Sequence, residues 1–256
     1  MSVVAIGDIH GNSEALADLL AQVLPQMKVE DTLVFLGDYI DRGPDSRGCV
    51  DLIIRLRKQY PFQVVTLLGN HEQWMLRSLS DPTQHSWLVG MDALETITNY
   101  SEEAALAIAQ AIEEHGARLF TLRIPLPYDL FFGAMPVEHL EFFRQLKPCY
   151  RQHGVIYVHG GIDSDGSLER LDVNTYVWGT PGFPEDYSGN DVVVYGHRND
   201  AIIREDGRVD PRVGTNNTYG IDTIAHGILT ALHMPDGRVF QSRRIRGSHD
   251  HPCRAE

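Results

Sequence analysis

The sequence predicts an α/β fold of one domain, with parallel strands in its first part and partly antiparallel strands in its second half. Up to about residue 79, apolar β-branched runs alternate with segments of helical spacing, which is typical of βαβ units with right-handed crossovers. Beyond residue 155 the apolar runs follow one another more closely, and two of them flank the turn sequence Pro235-Asp236-Gly237. A chain of 256 residues can bury one sizeable core of this kind.

Three units of strand, polar loop and helix open the chain. The strands are predicted at Val3–Ile6, Leu33–Leu36 and Val64–Leu68. The helices are predicted at Ser13–Val23, capped by Asn12 or Ser13, around Val50–Leu56 after Arg42, and from about His71 to Leu79.

Residues 81–148 are predicted to form a helical insert or lid. Its helices are expected at Ala93–Tyr100, Glu102–His115 and Val137–Leu146, with Pro136 just inside the last one, where a missing N–H costs little. The later strands are predicted at Val155–Val158, Val192–Tyr195, Thr218–Asp222, Ile228–His233 and Val239–Ile245. We therefore expect one domain over residues 1–246 and a flexible polar tail over 247–256.

Composition excludes several classes of function. The formal net charge of −13 argues against a broad nucleic-acid or anionic-membrane surface, although bound cations could still attract a phosphorylated substrate. Cys49, Cys149 and Cys253 have no metal-ligand spacing and are expected to be reduced. The chain enters a strand directly after Met1-Ser2, and no apolar stretch approaches the roughly 20 residues of a membrane helix. These observations predict a soluble, cytoplasmic protein.

Metal-ligand side chains follow five of the predicted strands. The clusters are Gly7–Gly11, Gly37–Gly43, Gly69–Glu72, His159–Gly161 and Gly196–His197. Because open α/β folds place their sites at the carboxyl ends of strands, these clusters should converge on one edge of the sheet system. Two Asp, three His and one Asn are what a pair of divalent cations would need.

The spacing suggests how the ligands divide between two ions. Asp8 and His10 lie two residues apart on a loop bounded by glycines and can reach one ion, while Asp38 is placed to bridge both. Asn70 would bind the second ion together with two histidines, His159 and His197. A nitrogen and oxygen ligand set without thiolate suits Mn²⁺, which we favour, as well as Fe, Zn or Mg. Two ions ~3.5–4 Å apart would activate a bridging water and polarise a phosphoryl group.

The set of motifs GDxHG, GDxxDRG, GNHE, HGG and GH, from Gly7 to His197, resembles the phosphoprotein phosphatase branch of the calcineurin-like metallophosphoesterases, particularly its small bacterial and phage members. The resemblance implies a central β-sandwich of two mixed sheets flanked by helices. It assigns Asp8, His10 and Asp38 to the first ion, and Asp38, Asn70, His159 and His197 to the second. Relatives outside this branch often have GHxH; here that position is Asn199, which favours the phosphoprotein phosphatase branch.

The resemblance also implies the catalytic groups. His71 is expected to be the general acid that protonates the leaving alkoxide, and Asp41 is expected to hold its tautomer. Arg42 matches the arginine that clamps phosphate oxygens. Glu72 is expected to cap or brace the helix.

Two departures from the family pattern affect substrate binding. Leu68 stands where relatives often have an arginine before GNH, and the block Trp178-Gly179-Thr180 lacks the arginine of a W-x-R sequence. We therefore expect Arg198, directly after a metal ligand, to supply the second phosphate-binding charge.

These inferences predict a metallophosphatase that acts by direct attack of a metal-bound hydroxide, without a phosphoenzyme. The resemblance implies phosphoserine and phosphothreonine in proteins as the leading substrates, and the intact Asp41-Arg42-Gly43 favours them over the dinucleotide of related hydrolases. The alternatives are symmetrical hydrolysis of diadenosine tetraphosphate and, less favoured, a non-catalytic metal-bound scaffold. Aromatic residues of the insert region could stack on a nucleotide base, but packing in a core is the commoner role; they are Trp74, Trp87, Tyr100, Tyr128, Phe131 and Phe132. The sequence predicts no oligomeric state.

Overall fold

A computed structural model describes residues 1–169 and 171–245. The strands are β1 (Val3–Ile6), β2 (Thr32–Phe35), β3 (Gln63–Thr66), β4 (Cys149–Gln152), β5 (Val155–Val158), β6 (Val192–Tyr195), β7 (Ile202–Ile203), β8 (Val209–Asp210), β9 (Arg212–Val213), β10 (Thr218–Gly220), β11 (Thr230–Met234) and β12 (Arg238–Gln241). The α-helices are α1 (Ser13–Val23), α2 (Ser46–Gln59), α3 (Asn70–Ser80), α4 (Ser86–Gly90), α5 (Leu94–Tyr100), α6 (Glu102–His115), α7 (Arg118–Thr121), α8 (Tyr128–Ala134), α9 (Val137–Arg144) and α10 (Val173–Trp178). Short 3-10 turns lie at Leu24–Gln26 and Ile224–His226.

Two mixed five-stranded sheets form the centre of the molecule. One has the order β12-β11-β1-β2-β3 and the other β4-β5-β6-β10-β9. In the first sheet β1, β2 and β3 are parallel, and β11 and β12 are antiparallel additions at one side. In the second sheet β5, β6 and β10 are parallel, and β4 and β9 are antiparallel edges. The predicted mixed α/β architecture with helices around two sheets is confirmed.

Alternate residues of the strands pack on opposite faces. Val3, Ala5 and Val34 of the first sheet share a buried cluster with Tyr157 and Val194 of the second. The intervening residues belong to a larger cluster with the helices, and they are Val4, Ile6, Leu33 and Phe35. Because β1 and β2 are buried on both faces, their sequences are continuously apolar rather than alternating.

The helices of the insert pack on the same large core as α1 and α2. The aromatic side chains predicted to be packing residues contribute to this core, among them Trp87, Tyr128 and Phe131. Their rings contact one another, with centroid distances of 5.4 Å between Trp87 and Phe131 and 6.2 Å between Trp87 and Tyr128. The insert therefore shares the main core instead of forming a separate layer.

Several predicted bounds were wrong at the ends of strands. β3 ends at Thr66 because the backbone N–H of Leu68 donates to Lys147 instead of continuing the ladder. β10 ends at Gly220, two residues before the predicted end at Asp222, and β12 ends at Gln241 rather than Ile245. Pro136 caps α9 from outside, and that helix ends at Arg144 rather than Leu146.

Other elements were missed because they are short or lack a clear period. They are β4, β7, β8, β9, α4, α7, α8 and α10. The predicted tail at 247–256 lies outside the described residues, so the domain boundary at 246 stays a prediction. Within residues 1–169 and 171–245, no helix is both long and apolar enough to cross a membrane.

Candidate dinuclear metal centre

The loops after β1, β2, β3, β5 and β6 meet at one edge of the two sheets. The backbone N–H groups of Ile9 and His10 both donate to the Asp38 carbonyl at 2.9 Å. From the second sheet, Gly196 N–H donates to the His159 carbonyl at 2.8 Å. These bonds hold the ligand loops against one another before any side chain is considered.

Two glycines allow the backbone to pass directly beside ligand carboxylates. A β-carbon on Gly69 would lie 2.1 Å from Asp38 Oδ1, and one on Gly196 would lie 2.1 Å from Asp8 Oδ1. Any side chain at either position would displace a carboxylate oxygen, which explains why glycine precedes the ligand in both loops.

The first predicted half-site is assembled around His10. Its Nε2 lies 3.5 Å from Asp38 Oδ2 and 4.0 Å from Asp8 Oδ2, and all three side chains are buried. Its Nδ1 lies 3.1 Å from the Ile40 carbonyl, which can only accept. That contact places the ring proton on Nδ1 and leaves the Nε2 lone pair for a cation.

The second predicted half-site is assembled around Asn70. Its Oδ1 lies 2.9 Å from His159 Nε2 and 3.1 Å from His197 Nδ1, while His159 Nε2 is 3.4 Å from Asp38 Oδ1. His159 Nδ1 faces the Leu36 carbonyl at 3.1 Å, which again directs Nε2 inward. The structure thus brings all six predicted metal ligands together, with Asp38 between the two groups.

The donor set fits a pair of divalent cations. With the Asn70 oxygen inward, acceptor atoms crowd together; with the amide reversed, its nitrogen would reach Asp38, His159 and His197 within 3.3 Å. The cluster therefore needs either an amide N–H or a positive ion at its centre, and a cation would satisfy all of these acceptor atoms at once. In each of two groups of three residues, the ligand atoms lie within 4.8 Å of one another. The groups are His10, Asp38 and His71, and Asp38, His159 and His197. Nitrogen and oxygen ligands without thiolate suit Mn, Fe, Zn or Mg.

Burial keeps the imidazoles in the form that binds metals. Burial and then the neighbouring His159 lower the pKa of His197 to about 3. Burial and then Arg42 lower the pKa of His10 well below its usual value. Neutral rings with a free lone pair are the ligand form of histidine.

Five of the predicted site residues have a left-handed backbone. They are His10, Asp38, Asp41, Arg42 and His197, with φ between 45° and 69°. Each costs of order 1–3 kcal/mol for a side chain other than glycine, and such strain concentrates at functional sites. Here the strain turns successive side chains of a loop toward the same point.

His71 and Asp41 form a buried pair beside the metal ligands. His71 Nδ1 donates to Asp41 Oδ2 at 2.7 Å, and both side chains have no solvent exposure. Among the described residues His71 Nε2 has no hydrogen-bond partner, and it lies 3.8 Å from Asp38 Oδ2. The ring therefore presents Nε2 to the metal centre, as a general acid would require.

Arg42 and Arg198 border the site from two sides. Arg42 is exposed, and its Nη1 lies 3.1 Å from His10 Nε2. Arg198 is half-buried; its Nη2 donates to the Thr180 carbonyl at 3.4 Å, and its guanidinium lies 5.8 Å from the centre of the Phe183 ring. The Arg198 guanidinium therefore lies beside the block where relatives carry their second arginine.

Glu72 has a larger role than the predicted brace of its own helix. Its carboxylate accepts from Gly69 N–H at 3.2 Å, at the start of α3. It also accepts from the N–H groups of Asp38 and Tyr39 at 2.9 and 2.8 Å. One buried side chain thus fixes both the third predicted ligand loop and the loop that carries Asp38.

Sequence reasoning missed Asp222, a third carboxylate near the first half-site. It is buried; its Oδ2 accepts from Asn199 N–H at 2.9 Å, and its Oδ1 has no partner in the described part of the chain. Burial raises the pKa of Asp222 to about 6, and burial followed by the charge of Asp222 raises the pKa of Asp8. Asp222 lies two residues beyond the end of β10, so the strand-end rule that located the predicted ligands could have found it.

Two joined clusters of aspartate, histidine and asparagine lie at strand ends with a buried His–Asp pair beside them, an arrangement that could hold two metal ions as phosphoesterase sites do. The family model for calcineurin-like phosphoesterases matches residues 1–227. The chain belongs to the calcineurin-like phosphoesterase family, and it is a metallophosphoesterase of the hydrolase class.

Relatives within this family have different substrates in their names. The chain is 25% identical over 261 residues to the zinc-dependent endopolyphosphatase of Saccharomyces cerevisiae, covering 90% of this chain and 75% of that protein. It is 28% identical over 250 residues to the asymmetrical bis(5'-nucleosyl)-tetraphosphatase PrpE of Oceanobacillus iheyensis, covering 92% and 90%. It is 39% identical over 110 residues to serine/threonine-protein phosphatase 1 of Salmonella typhimurium, covering 42% and 46%.

A solved structure supports the fold. A crystal structure of a protein provisionally described as a diadenosine tetraphosphatase superposes with a TM-score of 0.60 at 21% identity. The match covers 96% of this chain and 95% of that one. At this identity the likeness concerns the fold alone.

Proposed function

We propose that this protein is a metal-dependent phosphomonoesterase that removes phosphate from phosphoserine and phosphothreonine in proteins. The observation that carries the proposal is the buried His71–Asp41 pair, whose free Nε2 faces the metal ligands. A serine or threonine alkoxide is a poor leaving group and needs a proton as the ester bond breaks. A positioned general acid therefore matches this substrate class.

Each site residue has a proposed task. Asp8, His10 and Asp38 would hold one ion, and Asp38 with Asn70, His159 and His197 the other, with Mn²⁺ the favoured metal. When bound, the pair supplies Lewis acidity and an activated water. Arg42 and Arg198 would bind and orient the phosphoryl oxygens, which suit planar guanidinium groups. His71 would deliver the proton from Nε2, while Asp41 holds Nδ1.

The surface next to Arg198 supports a phosphorylated protein as substrate over a substrate that carries a run of phosphates. A cavity of about 420 Å³ adjoins Thr180, whose carbonyl accepts from Arg198. Its lining is rich in carboxylates and is formed by Asp163, Ser164, Asp165, Thr180, Pro181, Gly182, Phe183, Asp186 and Tyr187. Such a lining repels a run of phosphates but tolerates a peptide that bears a single phosphate.

The second candidate is symmetrical hydrolysis of diadenosine tetraphosphate. The relative from Oceanobacillus iheyensis, which is named for asymmetrical cleavage of bis(5'-nucleosyl) tetraphosphates, aligns along nearly the whole of both chains; this supports a dinucleotide substrate but not the symmetrical position of cleavage. Against it, a nucleotide leaves as a stable phosphate anion and has less need of a general acid. A non-catalytic scaffold remains the third prediction, and it would have no use for the His71–Asp41 pair. Cytoplasmic location stays a prediction from the sequence.

Hydrolysis by chelator-stripped protein with Mn²⁺ restored tests the proposal. It would be followed as phosphate release from the peptide and as nucleotide products from the dinucleotide, because symmetrical cleavage of the dinucleotide gives two ADP and no phosphate. A phosphoserine peptide and diadenosine tetraphosphate would be compared at equal concentrations, with Zn²⁺, Fe²⁺ and Mg²⁺ in parallel. Faster turnover of the peptide, lost in His71→Asn, is the expected result. Preference for the dinucleotide would establish the second candidate, and bound metal without turnover of either would favour the scaffold.

A further inference from the structure

Asp41 accepts hydrogen bonds from three side chains, and two of them come from the helical insert. Besides His71, the indole Nε1–H of Trp87 donates to Asp41 Oδ2 at 2.8 Å. The hydroxyl of Thr96 donates to Asp41 Oδ1 at 2.6 Å. Trp87 lies on α4 and Thr96 on α5, 46 and 55 residues beyond the aspartate.

These two donors are fixed within the core of the insert. Trp87 and Thr96 are both completely buried, as are Asp41 and His71. The Trp87 ring packs between Tyr128 and Phe131, and Thr96 Oγ1 also lies 2.9 Å from Ser46 Oγ and from Asp41 N–H. Neither donor can turn away without breaking this packing.

The consequence for Asp41 is a single fixed orientation of its carboxylate. Thr96 holds one oxygen, so the carboxylate cannot rotate about its bond to Cβ without losing that bond. The other oxygen accepts hydrogen bonds from both Trp87 Nε1–H and His71 Nδ1–H. The bond from Trp87 therefore fixes the direction from which this oxygen accepts the hydrogen bond of the imidazole. Partners of this kind, one step removed from the reacting group, commonly contribute 10–100-fold to activity.

We propose that Trp87 and Thr96 are positioning residues for the general acid, acting through Asp41 to aim His71 Nε2 at the leaving-group oxygen. This inference rests on the proposed function. It assigns the insert a part in the chemistry, because the insert supplies two of the three side-chain donors that orient the acid's partner.

The test uses the dependence of a general acid on its leaving group. Hydrolysis of 4-nitrophenyl phosphate, whose leaving group is stable as an anion, needs little protonation, whereas a phosphoserine peptide needs it fully. Trp87→Phe removes the N–H while keeping an aromatic ring, and Thr96→Val removes the hydroxyl at similar volume. We expect each variant to lower kcat on the peptide about tenfold or more, and kcat on 4-nitrophenyl phosphate less than about threefold.

Matched controls come from the same core. Tyr128→Phe removes a buried hydroxyl that has no hydrogen-bond partner within the described residues, from the ring next to Trp87. Thr98→Val removes an exposed hydroxyl on the helix that carries Thr96; that hydroxyl bonds only its own helix, at the Leu94 carbonyl. Both controls should leave the ratio of the two kcat values unchanged. Thr96→Ser, which keeps the hydroxyl, should restore the ratio.

Combination with His71→Asn separates positioning from general damage. In that background Trp87→Phe should have no further effect on the peptide, because residues that act as one unit are not additive. An equal fall on both substrates, or an additive effect in the double variant, would overturn the inference. If Trp87→Phe does not fold, Thr96→Val and Thr96→Ser decide alone. If the His71→Asn variant instead keeps the activity of the wild type, the proposed function itself is overturned.

Discussion

The two halves of the candidate metal centre would share Asp38 but differ in the charge of their other side chains. The first combines Asp38 with the carboxylate of Asp8 and one imidazole, with Asp222 buried behind it. The second combines Asp38 with two imidazoles and the neutral amide of Asn70. Carboxylate oxygens are hard ligands and imidazoles are intermediate, so the halves should differ in which cation they prefer and how tightly they hold it.

The halves also come from different sheets. Asp8 and His10 follow β1 of the first sheet, whereas His159 and His197 follow β5 and β6 of the second. The Asp38 loop follows β2, and its carboxylate lies 3.5 Å from His10 and 3.4 Å from His159. Cations bound here would therefore link the two sheets, and their removal should affect stability as well as activity.

Asp38→Asn should have the largest effect, because it is the one ligand common to both halves. We expect the loss of both Mn²⁺ ions in isothermal titration and a fall in kcat of roughly a thousandfold. The gain in melting temperature that Mn²⁺ gives the wild type should also disappear. Asp31→Asn removes a buried carboxylate far from the site, which accepts from Ser2 and Lys28 N–H groups, and it should retain both ions. Retention of two ions by Asp38→Asn would show that the residue does not bridge.

His10→Ala and His197→Ala should separate the halves. Each is expected to lower the Mn²⁺ stoichiometry from two to one, with kcat reduced by about a hundredfold. If the first, carboxylate-rich half binds its ion more tightly, His10→Ala should lose the tightly bound ion and retain the weakly bound one. Loss of both ions in either variant would mean that the halves are not separable.

The strand-end rule located all six predicted ligands because each belongs to a short local pattern. In each case an apolar run ends in a short cluster of glycine and ligand side chains, and the parallel strands bring these ends together. Asp222 obeys the same rule, but the predicted strand Thr218–Asp222 was too long and placed the residue inside it. β10 ends at Gly220, which leaves Asp222 in a loop beyond the strand, as the predicted ligands are beyond theirs.

Trp87 and Thr96 could not be found in this way. Their contacts with Asp41 span 46 and 55 residues and depend on how the insert packs on the first sheet. The sequence around each residue shows only an aromatic residue and a threonine within short helices. Packing was the correct interpretation of Trp87, but its indole N–H also donates to Asp41. The spacing of apolar residues in the sequence cannot predict such a contact.

Asp222→Asn should weaken the first half alone. The amide can still accept from Asn199 N–H, while the negative charge behind Asp8 is removed. We expect one Mn²⁺ dissociation constant to rise about tenfold and the other to stay unchanged. The metal-free protein should melt no lower than the wild type, because one of several adjacent buried carboxylates has been neutralised.

Asp200→Asn provides the control for that change. Asp200 lies in the same turn as Asn199, and its carboxylate accepts from the Tyr195 hydroxyl at 2.6 Å. It should leave both dissociation constants as they are. An equal effect of the two substitutions would mean that Asp222 only supports the loop.

Arg198→Ala should have the smallest effect and bears on the substrate rather than on the ions. Its guanidinium lies near the Thr180 carbonyl, and its Nε has no partner among the described residues, so it can still bind a phosphoryl oxygen. We expect KM for a phosphoserine peptide to rise about five- to tenfold, both Mn²⁺ ions to remain, and Arg198→Lys to recover only part of the loss, since an ammonium lacks the planar fork. Arg204→Ala, which removes an exposed arginine paired with Asp210, should leave KM unchanged. If Arg198→Ala has the kinetics of the wild type, Arg42 is left as the arginine that binds the phosphate. Arg198, in the His197 loop, would then not replace the arginine that the Trp178-Gly179-Thr180 block lacks.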